Sequence, residues 1–506
     1  MRRTACAALA VAISVAAFAE GYQVNTFSAR QEGMGHVGVA MKLGAESQIF
    51  NPGALAMSTS NFEISGSVSA IKATATATYQ GRDYTTNNKL STPLNVATSF
   101  RIYDNLYAGV TLFTPYGSSI NWGKNWPGAI LNQSVDLKIF TIQPTVSYRL
   151  LPNLSVGAGL MISWGSVNLN KALAPSTNFG NLIDLVNESN SLKYQAAQLE
   201  GMLTGQPVQS PAPQDIAYTD NGVPPASVNL TGKSDIAVGV NAGIMWDINR
   251  RWTVGASFRS KMSMKVKAGD AAVEYNDEIA RAILSSTLDY LNSTNFAASM
   301  PCPYVLTLGV SYKPIDRLIL AFDAQLNGWG TYKQLDITFD KLPDFDQHLT
   351  KNYHNAMTYH VGAQFAMTQR LDLRAGMMID CSPCDINHYN PETPGMTKIE
   401  PSVGLSFRPV KGLSIDLAFM YVKGLGTDRG TGSYDDILAR SFNANVQAYN
   451  AGIQQYNAAV AMANQMGLPL PAYQGKQYST LTEQATFTAK YATRALIPAI
   501  GISYSF

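Results

Sequence analysis

Charge is scarce in this 506-residue chain. Asp, Glu, Lys and Arg make up 14% of it, against about 25% in ordinary water-soluble domains. The few charges nearly balance, 37 basic against 35 acidic, which excludes the basic footprint of a nucleic-acid binder. Long apolar runs are also missing. Beyond residue 20 none reaches the roughly 20 residues that a helical membrane span needs. Cysteine is limited to four residues: Cys6, Cys302, Cys381 and Cys384. That is too few for a disulfide scaffold and too few ligands for a structural zinc. Cys381-Ser-Pro-Cys384 is either a small surface disulfide or a pair of plain thiols. The five histidines, His36, His348, His354, His360 and His388, fall in no Ser/His/Asp pattern and no metal spacing. No catalytic residue, metal ligand or cofactor is assigned, and the chain is read as a non-enzyme.

What the chain does contain is alternation. From Ala495 to the end, Leu496, Ile500, Ile502, Tyr504 and Phe506 share one face, and Ala495, Ala499, Gly501, Ser503 and Ser505 share the other. Successive side chains of a strand point to opposite faces, so one face suits lipid and the other a small, polar interior. Tyr304, Leu306, Leu308, Val310 and Tyr312 repeat the pattern, as do Ile415, Leu417, Phe419 and Tyr421, and Val238, Val240, Ile244 and Trp246. A wall whose outer face meets lipid accounts for the low charge. The aromatic-ended final strand resembles the C-terminal assembly signal of bacterial outer-membrane proteins, which implies the outer-membrane assembly machinery as a partner.

Arg2 and Arg3, the apolar run Ala5–Phe18 and the small-x-small site Ala17-Phe18-Ala19 predict a signal peptide over 1–19. Strands are expected at about 62–79, 93–102, 106–117, 135–149, 154–172, 234–247, 252–268, 303–313, 318–339, 357–367, 371–380, 400–408, 413–423 and 484–506. Short turns alternate with long segments at about 118–134, 173–233, 269–302, 340–356, 381–399 and 424–483. The expected fold is therefore an all-β membrane protein, an antiparallel transmembrane β-barrel of about 14 strands over 62–506, with short periplasmic turns and long external loops. Pro144 and Pro498 fall inside strands and predict bulges, since proline cannot donate to the ladder. Leu438, Phe442, Val446, Tyr449, Ile453, Tyr456 and Val460 recur at helical spacing, Leu182, Leu185, Leu192 and Leu199 more weakly, and Ile279, Ile283, Tyr290 and Leu291 suggest a third helix. Such stripes either pack on one another as a cap or form a greasy mouth for a ligand.

Residues 20–61 precede the first strand, do not alternate and are glycine-rich at Gly33, Gly35, Gly38 and Gly44. A barrel of about 14 strands has room to hold such a segment as a hatch. Three stretches carry a resemblance here: Gly21-Tyr22-Gln23-Val24-Asn25-Thr26-Phe27-Ser28, Gly33-Met34-Gly35-His36-Val37-Gly38-Val39-Ala40 and Phe50-Asn51-Pro52-Gly53. Together they look like the N-terminal hatch of the FadL-type long-chain fatty acid and aromatic hydrocarbon transporters of the outer membrane. Thr114-Pro115-Tyr116-Gly117 with Trp122 and Trp126-Pro127-Gly128, Phe258-Arg259-Ser260-Lys261, Phe322-Asp323 with Gly328-Trp329-Gly330, and Leu373-Arg374-Ala375-Gly376-Met377 are further matches. Gly53 departs from the family, which usually shows alanine there, and so do long insertions near 175–230 and 425–483.

The resemblance implies passive uptake of hydrophobic compounds, above all long-chain fatty acids. Ligand is caught at the third and fourth external loops (about 118–134 and 173–233), passes to a lumen pocket touching Tyr22, and leaves sideways into outer-membrane lipid at a kink in the third strand. Asn25, Gly33, Gly35, Asn51 and Pro52 fall in the hatch and gate the path. Trp122 and Trp126 either line the outer groove or pack their loop. Arg259 pairs with a ligand carboxylate or with an acidic neighbour. The competing readings are an uptake protein for aromatic hydrocarbons or haem, and a polar-solute porin. A monomer is expected.

Overall fold

The structure, a computed structural model, describes residues 21–206 and 211–506. The expected signal peptide lies outside the described residues. Fourteen strands close into one antiparallel ring: β1 (Phe62–Ser69), β2 (Leu94–Tyr103), β3 (Leu106–Asn121), β4 (Ser134–Leu151), β5 (Leu154–Ala172), β6 (Ala237–Asp247), β7 (Trp252–Arg259), β8 (Val305–Ile315), β9 (Leu318–Asn327), β10 (Ala356–Ala366), β11 (Leu371–Asp380), β12 (Lys398–Phe407), β13 (Leu413–Gly424) and β14 (Gln484–Ser505). Each strand pairs with the next in sequence, and β14 returns to β1 with Ser505 opposite Glu63 and Ile500 opposite Val68. Closure gives every strand of the ring a neighbour on both sides over at least part of its length, as a wall in hydrocarbon requires.

The alternation read from the sequence is the inside–outside pattern of this ring. In β14, Ile500 and Ile502 are 51% and 55% exposed while Ala499, Gly501 and Ser503 are buried. Exposed aromatic residues gather at the short-turn end: Tyr103, Tyr148, Trp246, Trp252, Tyr504 and Phe506. Trp252 stacks on Tyr312 across β7 and β8 with ring centroids 4.3 Å apart, and Phe62 meets Phe506 at 5.0 Å across the closing pair. This is one of the two aromatic girdles of an outer-membrane barrel.

Three expected strands are broken. The segment 62–79 divides into β1 and Lys72–Tyr79, 252–268 into β7 and a strand Met262–Tyr275, and 318–339 into β9 and Gln334–Phe339. The upper halves Met262–Tyr275 and Gln334–Phe339 pair with rim strands, whereas Lys72–Tyr79 stays paired with β14 and takes the rim strand Arg82–Thr85 on its other side. Met262–Tyr275, for example, pairs with Ala226–Lys233 and Asn295–Cys302, neither of which belongs to the ring. The long external segments thus carry strands of their own, Thr427–Asp435 among them. The expected bulges at Pro144 and Pro498 are absent. Pro144 stays in register opposite Val110, and pairing with β5 skips from Ile142 to Thr145 without a shift. Pro498 stays in register opposite Phe419, and the first-strand break at Ala70–Ile71 faces it. The ladder lets the missing donors go without inserting a residue.

The three helical patterns form α1 (Ser176–Thr204), α2 (Glu278–Leu288) and α3 (Ile437–Gln465). Asp277 caps α2 by accepting from the Ala280 N–H at 2.7 Å, and Asp436 caps α3 by accepting from Leu438 and Ala439. Leu438, Phe442, Val446 and Tyr449 bury against Leu182, Leu185 and Leu192, which makes the helices a cap over the ring.

Candidate functional site: the hatch, the wall gap and the cavity above them

Residues 21–57 pack inside the ring, held by close glycine contacts and a few directed hydrogen bonds. An added Cβ at Gly33 would lie 2.8 Å from Gly404 Cα on β12. Gly35 has φ +64°, and a Cβ there would lie 2.6 Å from Met377 N on β11, so only glycine suits both backbone and space. Its N–H donates to Ser402 Oγ at 3.0 Å, and its carbonyl lies 2.8 Å from His360 Nδ1. Asn51 Nδ2 donates to the carbonyls of Val39 (2.7 Å) and Ile244 (2.9 Å), and its Oδ1 accepts from the Gly53 N–H. Asn51 thereby ties two hatch segments to β6. Pro52 follows it in the first turn of the helical stretch Pro52–Met57, buried throughout. The unusual Gly53 also finds its reason here. A Cβ at that position would sit 2.7 Å from the Gly243 carbonyl oxygen.

Two wall contacts on the hatch were not singled out from the sequence. Asp323 on β9 accepts from the N–H groups of Gly38 (2.7 Å) and Val39 (3.1 Å). Arg30 of the hatch donates to Ser503 at 3.1 Å and pairs with Asp416 at 3.5 Å, which also holds Arg374. Beneath the hatch, Arg30, Glu63, Asp372, Arg374 and Arg408 line a polar vestibule of about 360 Å³ that is open to solvent.

The wall itself is incomplete at β3. Pairing of β3 with β2 ends at Phe113–Asn95, whereas pairing with β4 continues to Asn121. The register shifts between Phe113 and Tyr116, one extra residue on β3, at Thr114-Pro115. The side left without a ring strand is met by the N-terminal arm: Val24 N–H donates to Pro115 C=O, Gly117 N–H donates to Tyr22 C=O, each at 2.9 Å, and Gln23 bridges Tyr116. Gln23 Nε2 donates to Asn25 Oδ1, and Asn25 Nδ2 approaches Met378 Sδ at 4.0 Å. Tyr22 is buried, its hydroxyl donates to Pro301 C=O, and its ring packs edge-on against Trp329 at 4.8 Å and Tyr116 at 6.0 Å.

Beside it lies an apolar cavity of about 70 Å³, partly open, lined by Leu137, Ile139, Leu169, Leu230, Met264, Val266, Phe296, Met300, Leu335 and Ile337. Ser118 of β3 borders it, so the cavity abuts the gap. Its one charged wall residue is Glu392, bound to the buried Lys351 ammonium. A second buried lysine, Lys171, donates to Gln347 Oε1 at 3.1 Å and feels the Glu392 charge. These three groups come from three distant segments, and no spacing in the sequence links them.

None of the expected ligand residues lines this cavity; Tyr22 belongs to the same buried apolar cluster as Leu137, Ile139 and Met264, and the others do not. Trp122 and Trp126 stack at 4.6 Å in a separate buried cluster with Phe487 and Tyr491, and their indole N–H groups donate to Pro391 and Asn132 carbonyls. Arg259 lies in a small polar recess beneath, over the Phe27 ring at 5.4 Å. Cys381 and Cys384 are not joined. Both are buried, and the Cys384 sulfur faces Gly395.

Residues 10–467 match the profile of the outer membrane protein transport proteins (OMPP1/FadL/TodX). The chain belongs to this family. The long-chain fatty acid transport protein of Escherichia coli K12 is 22% identical over 456 residues, covering 84% of this chain and 94% of that one. Outer membrane protein P1 of Haemophilus influenzae is 21% identical over 327 residues, and the match spans 64% of each chain. Among solved structures, a Pseudomonas aeruginosa FadL homologue superimposes with TM-score 0.67 at 16% identity, covering 96% of this chain and all of that one, and the Pseudomonas putida toluene transporter TodX with 0.60 at 13% identity and the same coverage. The fold is that of the FadL and TodX barrels, and its location is the outer membrane.

Proposed function

We propose that this FadL-family barrel is a passive channel that takes up hydrophobic compounds, long-chain fatty acids above all, and releases them sideways into the membrane. The observation that carries this reading is the wall gap at β3, closed by residues 22–24 in place of a strand and bordered by an apolar cavity. An apolar ligand gains by staying out of water. Straight below the hatch it would meet the charged vestibule of Arg30, Asp372, Arg374 and Arg408, where burying apolar surface is not rewarded. A small withdrawal of the Tyr22–Val24 arm opens the gap to lipid instead, and no energy source is needed if a downstream sink removes the ligand.

Tying the arm to the wall tests this. In a Gln23→Cys/Tyr116→Cys variant the oxidised protein should lose uptake of a radiolabelled fatty acid and regain it on reduction. Uptake that ignores the cross-link would rule out exit at β3.

The carboxylated class of substrate is favoured by the cavity's polar end. Glu392 is bound to the buried Lys351 and acts, together with Asp435, on the buried Lys171. A ligand carboxylate there gains a charge-assisted hydrogen bond in a low-dielectric site. Lys171→Met should weaken fatty acid binding about tenfold, the effect of about 1.4 kcal/mol, and leave toluene binding unchanged. Equal loss for both ligands would show that the lysine does not read the head group.

A further inference from the structure

On the outside of the wall, one patch breaks the lipid-facing pattern in a regular way. Over β4, β5 and the rim strand Ala226–Lys233, the outward residues fall into rows fixed by the strand pairing. Phe140 lies opposite Trp164, and their rings stack at 6.3 Å. Two residues farther from the short-turn end, Lys138 lies opposite Ser166 and Ser166 opposite Lys233. Asp136, Asn168 and Thr231 make the next row, and Ser134, Asn170 and Asn229 the one after. The residues between them, Leu137, Leu169 and Leu230, line the apolar cavity, so the rows face away from the lumen.

The rows set the patch at a definite depth. Trp164 and Leu160 are 40% and 44% exposed, and an aromatic pair that ends an apolar outer face marks the second girdle of the barrel. Lysine on a lipid face is costly at mid-bilayer and tolerated at the interface, so Lys138 and Lys233 stand at head-group depth. Neighbouring strands are about 4.8 Å apart, which puts the two Cα atoms about 10 Å from each other. Lys138 has Asp136 at 2.9 Å, and Lys267 joins the row through Asp235 at 2.6 Å. The Asp235 N–H donates to the Lys265 carbonyl. Among the described residues Lys233 and Lys265 have no acidic partner. A further acid, Asp270, lies opposite Thr231, one row up.

The two upper rows are amides and hydroxyls already joined in a net. Asn170 Nδ2 donates to Ser134 Oγ at 2.9 Å, Asn229 Nδ2 to Asn168 Oδ1 at 2.9 Å and to Asn170 Oδ1 at 2.7 Å, and Thr231 Oγ1 to Asn229 Oδ1 at 2.9 Å. From Lys138 to Ser134 the strand rises about 14 Å, well beyond the reach of one phosphate group. Amides and hydroxyls both donate and accept, as sugar hydroxyls require.

We propose that this face binds a phosphorylated glycolipid of the outer leaflet. Its acyl chains lie along Leu160 and Trp164, Lys138 and Lys233 hold its phosphates by charge-assisted hydrogen bonds, and the asparagine rows meet its sugars. A soluble anion would leave the apolar part of the face unused, and a phospholipid would leave the two upper rows unused. Gly117, whose N–H donates to the Tyr22 carbonyl of the N-terminal arm, lies opposite Lys138, so the bound head group stands at the margin of the wall gap.

Native mass spectrometry of the full chain in detergent, titrated with a short-core lipopolysaccharide, tests the proposal. The wild-type chain should bind this probe about tenfold more tightly than its dephosphorylated form. Lys138→Gln with Lys233→Gln should abolish that difference, and Asn168→Ala with Asn229→Ala should weaken binding of both forms. Arg250→Gln with Arg251→Gln removes the same charge from exposed positions at the short-turn end and should change nothing. Equal affinity of the wild-type chain for the phosphorylated and dephosphorylated probes overturns the role of the lysines. Displacement of the probe by equimolar phosphatidylglycerol overturns the choice of a glycolipid. A double-lysine variant that binds as the wild type does overturns the site.

Discussion

Asp323 holds the hatch by its backbone, and a carboxylate does so more firmly than an amide. Its hydrogen bonds to the N–H groups of Gly38 and Val39 are charge-assisted, a type that contributes about 1.5–3 kcal/mol. Asp323→Asn keeps the shape and removes the charge, so hatch docking should weaken by about that amount. Faster limited proteolysis within residues 21–57, with the ring's own resistance unchanged, is the expected result. The Gly33, Gly35 and Gly53 contacts were partly legible, because frequent glycine in a segment that does not alternate already points to close packing. What they pack against was not. Gly404, Met377 and Gly243 lie hundreds of residues away, and a wall glycine within an alternating strand looks like any small inward residue. Asp323 was visible only as part of a family match, because one carboxylate in a strand gives no sign of the backbone it will face.

At the scale of elements, the hatch carries two buried acids. Burial pushes Glu32 up to about 8 and Glu46 up to about 7, from an ordinary 4.5. Glu32 faces Ser69 and, farther off, Glu400; Glu46 faces Ser28, Arg30, Asp416 and Glu63. The docked hatch therefore holds protons that the undocked one releases. Docking is strongest below pH 4.5 and loses stability as pH rises through 7 and 8. Hydrogen-exchange protection across residues 21–57, taken relative to the intrinsic amide rate at each pH, should be lower at pH 9 than at pH 5.5, and Glu32→Gln should flatten the difference. A pH-independent exchange pattern would show these acids to be charged when docked. The strands were the most legible elements, since one lipid face and one lumen face impose a strict period of two. The rim strands were not: Ala226–Lys233 pairs with Met262–Tyr275 outside the ring, Thr427–Asp435 pairs with the upper part of β14, and nothing in Ser260-Lys261 announces that β7 stops where Met262–Tyr275 begins. The helices α1 and α3 were legible from their stripes, their parallel course was not, and the polar end of the cavity is built from residues that only the fold brings together.

For the whole molecule, ring and cap are separable. Asp435 pairs with Gln484 at the foot of α3, so replacing 436–483 by a two-residue turn closes a hairpin the structure already contains. Such a variant should still insert as a folded barrel with unchanged mobility in an unheated gel. Loss of the folded band would mean that α3 helps to form the ring. The pairing of β1 with β14 has a further consequence, in time rather than in space. Glu63 meets Ser505 roughly 440 residues downstream, a contact whose loop-closure entropy makes it slow and late. The ring has a seam, and the seam can be sewn only after the last residue has been made. The hatch, which is synthesised before β1, is available to dock before that happens. A seam that shuts around an arm already docked encloses a filled lumen from the start.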